Sequence, residues 1–117
     1  MDKHLPVEVS EIICHYAEGL HRIYGTKLVR VVLFGSYARG DYTDSSDIDV
    51  LVVVDAEGLE LARLRKEMVH LTFETNLTND VEIEPVLMKY ADYRRWEMVH
   101  PLLEAVRRDG VKLYEAA

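Results

Sequence analysis

The segment from Phe34 to Val54 concentrates the residues of this chain that could carry chemistry. Gly35 and Ser36 directly follow an apolar run, and a glycine lets the backbone approach a ligand closely. If a helical turn begins here, its first N–H groups can bind an anion, and the Ser36 hydroxyl adds a donor. Arg39 stands where its guanidinium could reach the same anion, although a solvated arginine fits the pattern too. The turn therefore predicts a small site for phosphate groups.

A pair of acids, Asp47 and Asp49, opens the next apolar run, DIDVLVVV. Because side chains alternate along a strand, both carboxylates would leave the same face, roughly 6–7 Å apart at Cα. Two acids this close repel each other unless a cation lies between them. Mg²⁺ prefers oxygen ligands and often shares them with substrate phosphates. The acids could instead cap a loop, but placing both at the head of a buried strand without a partner would be costly.

Two further acids, Glu82 and Glu84, lie in the third apolar run and would also share one strand face. A carboxylate from a neighbouring strand would complete a site for two metal ions, which hold the attacking and leaving oxygens of an in-line displacement at phosphorus. Either glutamate could instead be an exposed charge on an edge strand.

The arrangement Gly35-Ser36, ten residues, then Asp47-x-Asp49 resembles the signature of the polymerase-β-like nucleotidyltransferase superfamily. The short length resembles its minimal nucleotidyltransferase (MNT) branch. The resemblance implies a single domain over residues 1–117 with the α/β, polymerase-β-like nucleotidyltransferase fold. In that fold, helices pack on a small mixed sheet of three to five strands.

The resemblance also implies roles for the motif residues. Gly35 and Ser36 would hold the terminal phosphates of a nucleotide, with Arg39 assisting them. Asp47 and Asp49 would bind two Mg²⁺ ions.

The third acid of the family is usually an Asp flanked by apolar residues on the next strand. Glu82, between Val81 and Ile83, matches this position best, and Glu84 is the alternative. Neither is Asp, and an extra methylene moves a carboxylate by more than about an ångström, a shift to which catalysis is sensitive.

The activity implied is Mg²⁺-dependent transfer of a nucleoside monophosphate, with AMP from ATP favoured, to a hydroxyl acceptor. MNT proteins are often one half of a pair with a small helical HEPN-type toxin, and some act as antitoxins by transferring AMP to a tyrosine of the toxin. A non-catalytic module that neutralises its partner by contact is the alternative. Transfer to a small molecule such as an aminoglycoside is less favoured, because nothing here resembles the second domain of those enzymes.

Hydrophobic spacing predicts the elements that must position these residues. In order, they are a helix at 7–24, strands at 28–34 and 47–54 with a turn or short helix at 35–42 between them, a helix at 59–71, a loop at 75–80, a strand at 81–88, a helix at 92–108 and a short strand at 111–114. The apolar run after Asp49 predicts a central strand. Pro85 predicts an edge position or a bulge, and Pro101 predicts a kink or a break.

Composition bounds the remaining possibilities. With 117 residues, 49% of them apolar and 30% charged, the chain is expected to form one globular domain. A net charge of −7 argues against a long nucleic acid as partner. The absence of a long apolar run and of a leader-like segment predicts a cytoplasmic protein without a membrane span. Cys14 is the single cysteine, which excludes an internal disulfide. Exposed faces of the first and last helices suggest a homo-oligomer or a hetero-complex.

Overall fold

The computed structural model describes residues 5–116 and contains five α-helices and four strands in that range. The helices are α1 (Val7–Tyr24), α2 (Ser36–Arg39), α3 (Gly58–Asn79), α4 (Tyr90–Trp96) and α5 (Pro101–Asp109). The strands are β1 (Leu28–Phe34), β2 (Ile48–Val54), β3 (Ile83–Lys89) and β4 (Val111–Glu115). None of the helices in residues 5–116 is long and apolar enough to cross a membrane.

The strands form one mixed sheet in the order β3-β2-β1-β4, as the fold class predicted. β2 and β3 run parallel and are joined by the crossover helix α3, whereas β1 is antiparallel to both of its neighbours. The side chains from Val50 to Val54 are fully buried, which confirms β2 as a central strand. β3 lies at an edge, where Pro85 removes no hydrogen bond that a neighbouring strand would need.

Two layers of helices cover the sheet. α1 and α3 pack on the face that carries Val50 and Val52, and α4 and α5 pack on the opposite face with Leu51 and Val53. The alternation of side chains along β2 produces this division. Each fully buried side chain of this size stabilises the fold by roughly 1.5–3 kcal/mol.

Two tyrosines join α1 to α3 beneath the sheet. The Tyr16 hydroxyl lies 2.6 Å from Oγ1 of Thr72, and the Tyr24 hydroxyl donates to the carbonyl of Leu64 at 2.6 Å. Burial raises the pKa of Tyr16 to about 12, partly opposed by the hydrogen bond with Thr72. The hydroxyl therefore stays protonated over the whole physiological range and keeps its place in the core.

The expected end of α3 is wrong, because the predicted loop at 75–80 is helical as far as Asn79. Asn, Thr and Asp favour loops when their side chains bond to nearby backbone groups. Here the Asn76 side chain is bound by a residue on β3 instead. The Asn76 amide accepts from the N–H of Ile83 at 2.8 Å and donates to its carbonyl at 3.2 Å. Asp80, with a left-handed φ of 53°, then ends the helix.

The predicted break in the last helical segment is confirmed. α4 ends at Trp96, and α5 begins at Pro101, which occupies the first helical position, where its missing N–H has no cost. The His100 ring accepts from the N–H of Leu102 at 3.1 Å and caps this second helix.

Candidate functional site

Gly35 forms the turn between β1 and α2 and has a conformation that only glycine adopts readily. Its φ is 77° and its ψ is −156°, within a region that is almost closed to other residues. A Cβ at this position would collide with Oδ2 of Asp49 and lie 3.1 Å from its Cγ. The backbone of the predicted phosphate turn therefore lies directly against one of the two predicted metal-binding carboxylates.

Helix α2 presents its first amide groups at this turn. The first hydrogen bonds of the helix run from the N–H groups of Ala38 and Arg39 to the carbonyl of Gly35, at 3.1 and 3.0 Å. The N–H groups of Ser36 and Tyr37 precede them and need an acceptor from outside the helix. An anion at the turn would meet these two amides and the Ser36 hydroxyl together.

The register of the sheet brings the acids of β2 and β3 side by side. Asp49 pairs with Phe34 of β1 on one side and with Glu84 of β3 on the other. The N–H of Ile48 donates to the carbonyl of Glu82 at 2.8 Å, which places Glu82 beside Asp47. Because residues in register share a face, Glu84 points the same way as Asp49. Glu82 and Asp47, which precede the two strands, line a common cleft.

This face is the one that α4 and α5 cover further along the strands, at Leu51 and Val53. At the end of the sheet that carries the acids, Asp47 is exposed and Asp49 is half-buried. Glu82 and Glu84 are both exposed. The buried parts of the strands thus position the acids, and the exposed acids at the end of the sheet are accessible to a ligand.

The environment of Asp49 alters its pKa. Burial raises its pKa above the ordinary value, the charge of Asp47 raises it further, and Arg39 partly opposes both effects. The Arg39 guanidinium, the predicted phosphate ligand, pairs with the exposed carboxylate of Asp41 at 3.2 Å. The two aspartates therefore repel each other, and a bound cation would offset this repulsion.

A cleft of about 390 Å³ opens beside Asp47. Tyr37, the loop at 44–46, and Glu82 with its neighbours Asp80 and Val81 line it. Tyr37 stacks on Tyr42 with ring centroids 4.4 Å apart and planes 7° from parallel. The pKa of Tyr37 is raised by burial, and to a smaller extent by Tyr42 and Asp44.

The sequence pattern alone did not indicate this aromatic pair or the contribution of Asp80. The only local signal for the pair is the placement of Tyr37 and Tyr42 on either side of Gly40. Asp80 gave no signal, because it comes close to Asp47 only through the crossover from β2 to β3.

The acids do not form a complete metal cage. Among residues 5–116, no three His, Cys, Asp or Glu side chains converge closely enough to hold one ion. Asp47 and Asp49 nevertheless fit the usual habit of Mg²⁺, which binds one or two carboxylates and takes its other ligands from water and substrate phosphates. The adjoining amides of α2 are well placed to bind those same phosphates.

The family model described as "Nucleotidyltransferase domain" matches residues 13–100 of the chain, a range that includes the Gly35 turn and all of the candidate acids. This chain belongs to the nucleotidyltransferase domain family. The enzyme class that the resemblance predicted is thereby confirmed.

One relative of this nucleotidyltransferase is a protein of Methanocaldococcus jannaschii named "Putative protein adenylyltransferase". The two are 36% identical over 83 residues, which cover 71% of this chain and 82% of the relative. The likeness therefore extends well beyond the motif.

Solved structures share the fold. A "putative nucleotidyltransferase" of Sulfolobus solfataricus superimposes with a TM-score of 0.59 at 21% identity, covering 92% of this chain and 83% of the other. The structure of a tri-AMPylated HEPN toxin in complex with MNT antitoxin from Shewanella oneidensis matches with a TM-score of 0.51 at 20% identity, covering 91% of this chain and 72% of the other. At these identities the two structures establish the architecture of the sheet and its helices.

Proposed function

We propose that this nucleotidyltransferase transfers the AMP group of ATP to a hydroxyl group of a partner protein and depends on Mg²⁺. The observation that carries the proposal is the contact between Gly35 and Asp49. This contact places the turn proposed to bind phosphate directly beside the pair of carboxylates. Phosphoryl chemistry needs this combination, because catalysis there consists mainly of positioning and of stabilising charge.

Each residue has a distinct task in the proposed reaction. The amides of Ser36 and Tyr37 and the Ser36 hydroxyl bind the terminal phosphates, and Arg39 can exchange its pairing with Asp41 for a phosphate oxygen. Asp47 and Asp49 would hold Mg²⁺, two ions in the arrangement that the resemblance implies. When bound, Mg²⁺ would offset the charge that develops on the phosphate oxygens.

The bond changes balance without a further reactant. The acceptor hydroxyl oxygen forms a bond to the α-phosphorus, the bond from that phosphorus to the oxygen bridging to the β-phosphate breaks, and pyrophosphate leaves. A carboxylate at the start of β3 accepts the hydroxyl proton. Glu82 is the residue that the motif favours, and the register adds a reason for Glu84, which lies directly beside Asp49.

The acceptor is proposed to be a protein, specifically a tyrosine of a small helical HEPN-type toxin that this chain would neutralise as an antitoxin. The relative named for protein adenylyltransfer and the similarity to an MNT antitoxin in complex with an AMPylated toxin support this choice. The exposure of Asp47 at the end of the sheet supports it as well, because a protruding tyrosine could reach Asp47 and Asp49 there.

A specific observation favours a second candidate, neutralisation of the partner by contact alone. Within residues 5–116, no three acidic side chains lie close enough together to bind one metal ion. In addition, Glu stands where the family usually has its third Asp. A chain with an incomplete site could still bind a nucleotide or a partner without transferring anything.

Co-expression with the protein encoded beside this chain separates the two candidates. The partner is weighed by intact-mass spectrometry, with Asp47→Asn plus Asp49→Asn as the inactive variant and Asp55→Asn, an exposed acid at the far end of β2, as the matched control. Transfer predicts a mass gain of one or more AMP groups that the double variant loses and the control keeps. An unmodified partner in a stable complex with all three chains would reject transfer in favour of contact.

A further inference from the structure

Helix α3 has a second apolar face that its own chain does not cover. Its inner face buries Leu64 and Met68. On its outer side Val69, Phe73 and Leu77 recur at intervals of four residues and are 57%, 65% and 73% exposed. Residues at this spacing form a continuous row along a helix. A row of three large apolar side chains in solvent is unusual for a surface without a partner.

The row, Val69-Phe73-Leu77, borders two grooves. One, of about 410 Å³, lies between the row and Pro85 on β3. The other, of about 480 Å³, reaches from Phe73 and Leu77 to Asp80 and Glu82. Asp80 and Glu82 also line the cleft beside Asp47, so the row leads to the rim of the candidate active site.

The edge strand beside the row is closed to strand addition where the two meet. The side chain of Asn76 occupies both the N–H and the carbonyl of Ile83. Pro85, the next residue with the same orientation along β3, has no N–H to offer. An occupant of this surface must therefore pack side chains against the row, as a helix does, and cannot extend the sheet here.

The charges at the two ends of the row are opposite. Arg65 and Lys66 lie about one turn before Val69, and Asp80 and Glu82 follow Leu77. None of these four charged side chains has an ion-pair partner within residues 5–116. Along the helix, the surface is therefore positive at one end, apolar in the middle and negative at the other end.

We propose that a second copy of this chain covers the row, with α3 of each copy packed antiparallel about a two-fold axis near Phe73. When the second helix runs in the opposite direction, the positive end of each copy faces the negative end of the other, so the surface is complementary to itself. Val69 would meet Leu77 of the second copy, and Phe73 would meet its own counterpart. The cations at one end would meet the acids at the other. Such an isologous contact is the commonest way in which identical chains pair.

The proposed dimer has a consequence for the cleft, and only this consequence rests on the proposed function. Arg65 and Lys66 of the second copy would arrive at Asp80 and Glu82, on the rim of a cleft whose lining carries four acidic residues. A triphosphate would enter past cations that one copy alone does not place there. The interface itself makes no use of nucleotide chemistry.

Sedimentation velocity of the purified full chain over a range of concentrations tests the interface. Wild type is expected to form dimers. Phe73→Glu is expected to be monomeric, because two like charges would face each other across the axis. The matched control is Leu59→Glu, which alters an apolar residue that is 91% exposed on the first turn of the same helix and lies outside the row. This control is expected to remain dimeric, and circular dichroism should show that both variants keep the fold.

A charge variant supplies an independent measurement. Arg65→Glu together with Lys66→Glu places like charges at both ends of the interface and is expected to raise the dissociation constant at least about tenfold. High salt should weaken the wild-type dimer in the same direction.

A wild type that stays monomeric at every concentration would overturn the proposal, as would a dimer that Phe73→Glu leaves intact or that Leu59→Glu disrupts equally. Binding of a different protein to the Phe73 surface of a monomeric chain would assign the row to that protein instead. Sedimentation requires neither nucleotide nor transfer. Failure of the dimer and failure of the proposed function can therefore be told apart.

Discussion

The backbone of Gly35 lies against the carboxylate of Asp49, and no side chain can be added to Gly35 without displacing that acid. The pairing of Phe34 with Asp49 across β1 and β2 creates this contact, because the chain turns into α2 immediately after Phe34. The turn that we propose to bind phosphate and the carboxylate of Asp49 are therefore fixed relative to each other.

Gly35→Ala is expected to lower AMP transfer by about 100-fold, since an ångström of displacement at a reacting centre has effects of that order. It should also lower the free energy of unfolding by about 1–3 kcal/mol, because alanine is strained at this backbone conformation. Rates would be measured as the partner's mass gain over time, and stability by urea denaturation.

Gly25→Ala is the matched control for this substitution. Gly25 also has a positive φ, of 56°, but a Cβ there meets nothing within 4 Å. The control should lose similar stability and keep its activity. Equal loss of transfer in both variants would mean that strain in the backbone, and not the contact with Asp49, accounts for the effect.

Asp49→Asn is expected to raise the melting temperature at neutral pH while abolishing transfer. The pKa of Asp49 is raised in the folded protein, mainly by burial and then by Asp47, so its ionised form destabilises the fold. That penalty is absent in acid, where the group is protonated in both folded and unfolded states. It grows as the pH rises from the ordinary carboxyl value through the raised one.

Melting curves of wild type and Asp49→Asn from acid to neutral pH check this sign. The gap between the two melting temperatures should widen with pH. Mg²⁺ with a non-hydrolysable ATP analogue should raise the melting temperatures of wild type and of the Asp55→Asn control, but not that of Asp49→Asn, which lacks a ligand. A gap that closes as the pH rises would contradict the electrostatic account.

Glu84→Gln is expected to slow transfer on the order of 100-fold, and Glu82→Gln less, because Glu84 pairs in register with Asp49 whereas Glu82 lies beside Asp47. Both substitutions keep the side-chain length and remove only the charge. Affinity for the ATP analogue should change little in either. A larger loss in Glu82→Gln would return the third-acid role to the residue that the motif favours.

Asn76→Ala is expected to lower the free energy of unfolding by about 1–3 kcal/mol, because it leaves the N–H and the carbonyl of Ile83 without partners. Asn79→Ala is the control, since its amide only donates to the carbonyl of Thr75 on the exposed surface. Urea denaturation with an unchanged slope would show that stability alone has changed. Equal midpoints for the two variants would mean that Asn76 does not hold the edge of β3.

Local patterns in the sequence were enough to predict the family, the motif and most of the scaffold around it. Gly35, Ser36, Asp47 and Asp49 lie within fifteen residues, where local rules suffice: glycine permits the turn, and alternation puts both acids on one face. The bounds of α1 and β1 follow in the same way from periodicity, and Pro85 and Pro101 marked the edge strand and the helix break.

Which distant residues lie beside these acids depends on how the whole sheet packs. The register of β2 against β3 is set by packing over the whole sheet, so no local pattern could place Glu84 beside Asp49 or bring Asp80 to the cleft. The same reason explains the error in α3. In the helical segment after Thr75, the Asn76 side chain is hydrogen-bonded to the backbone of Ile83. This partner comes within reach only after the chain has crossed from β2 to β3.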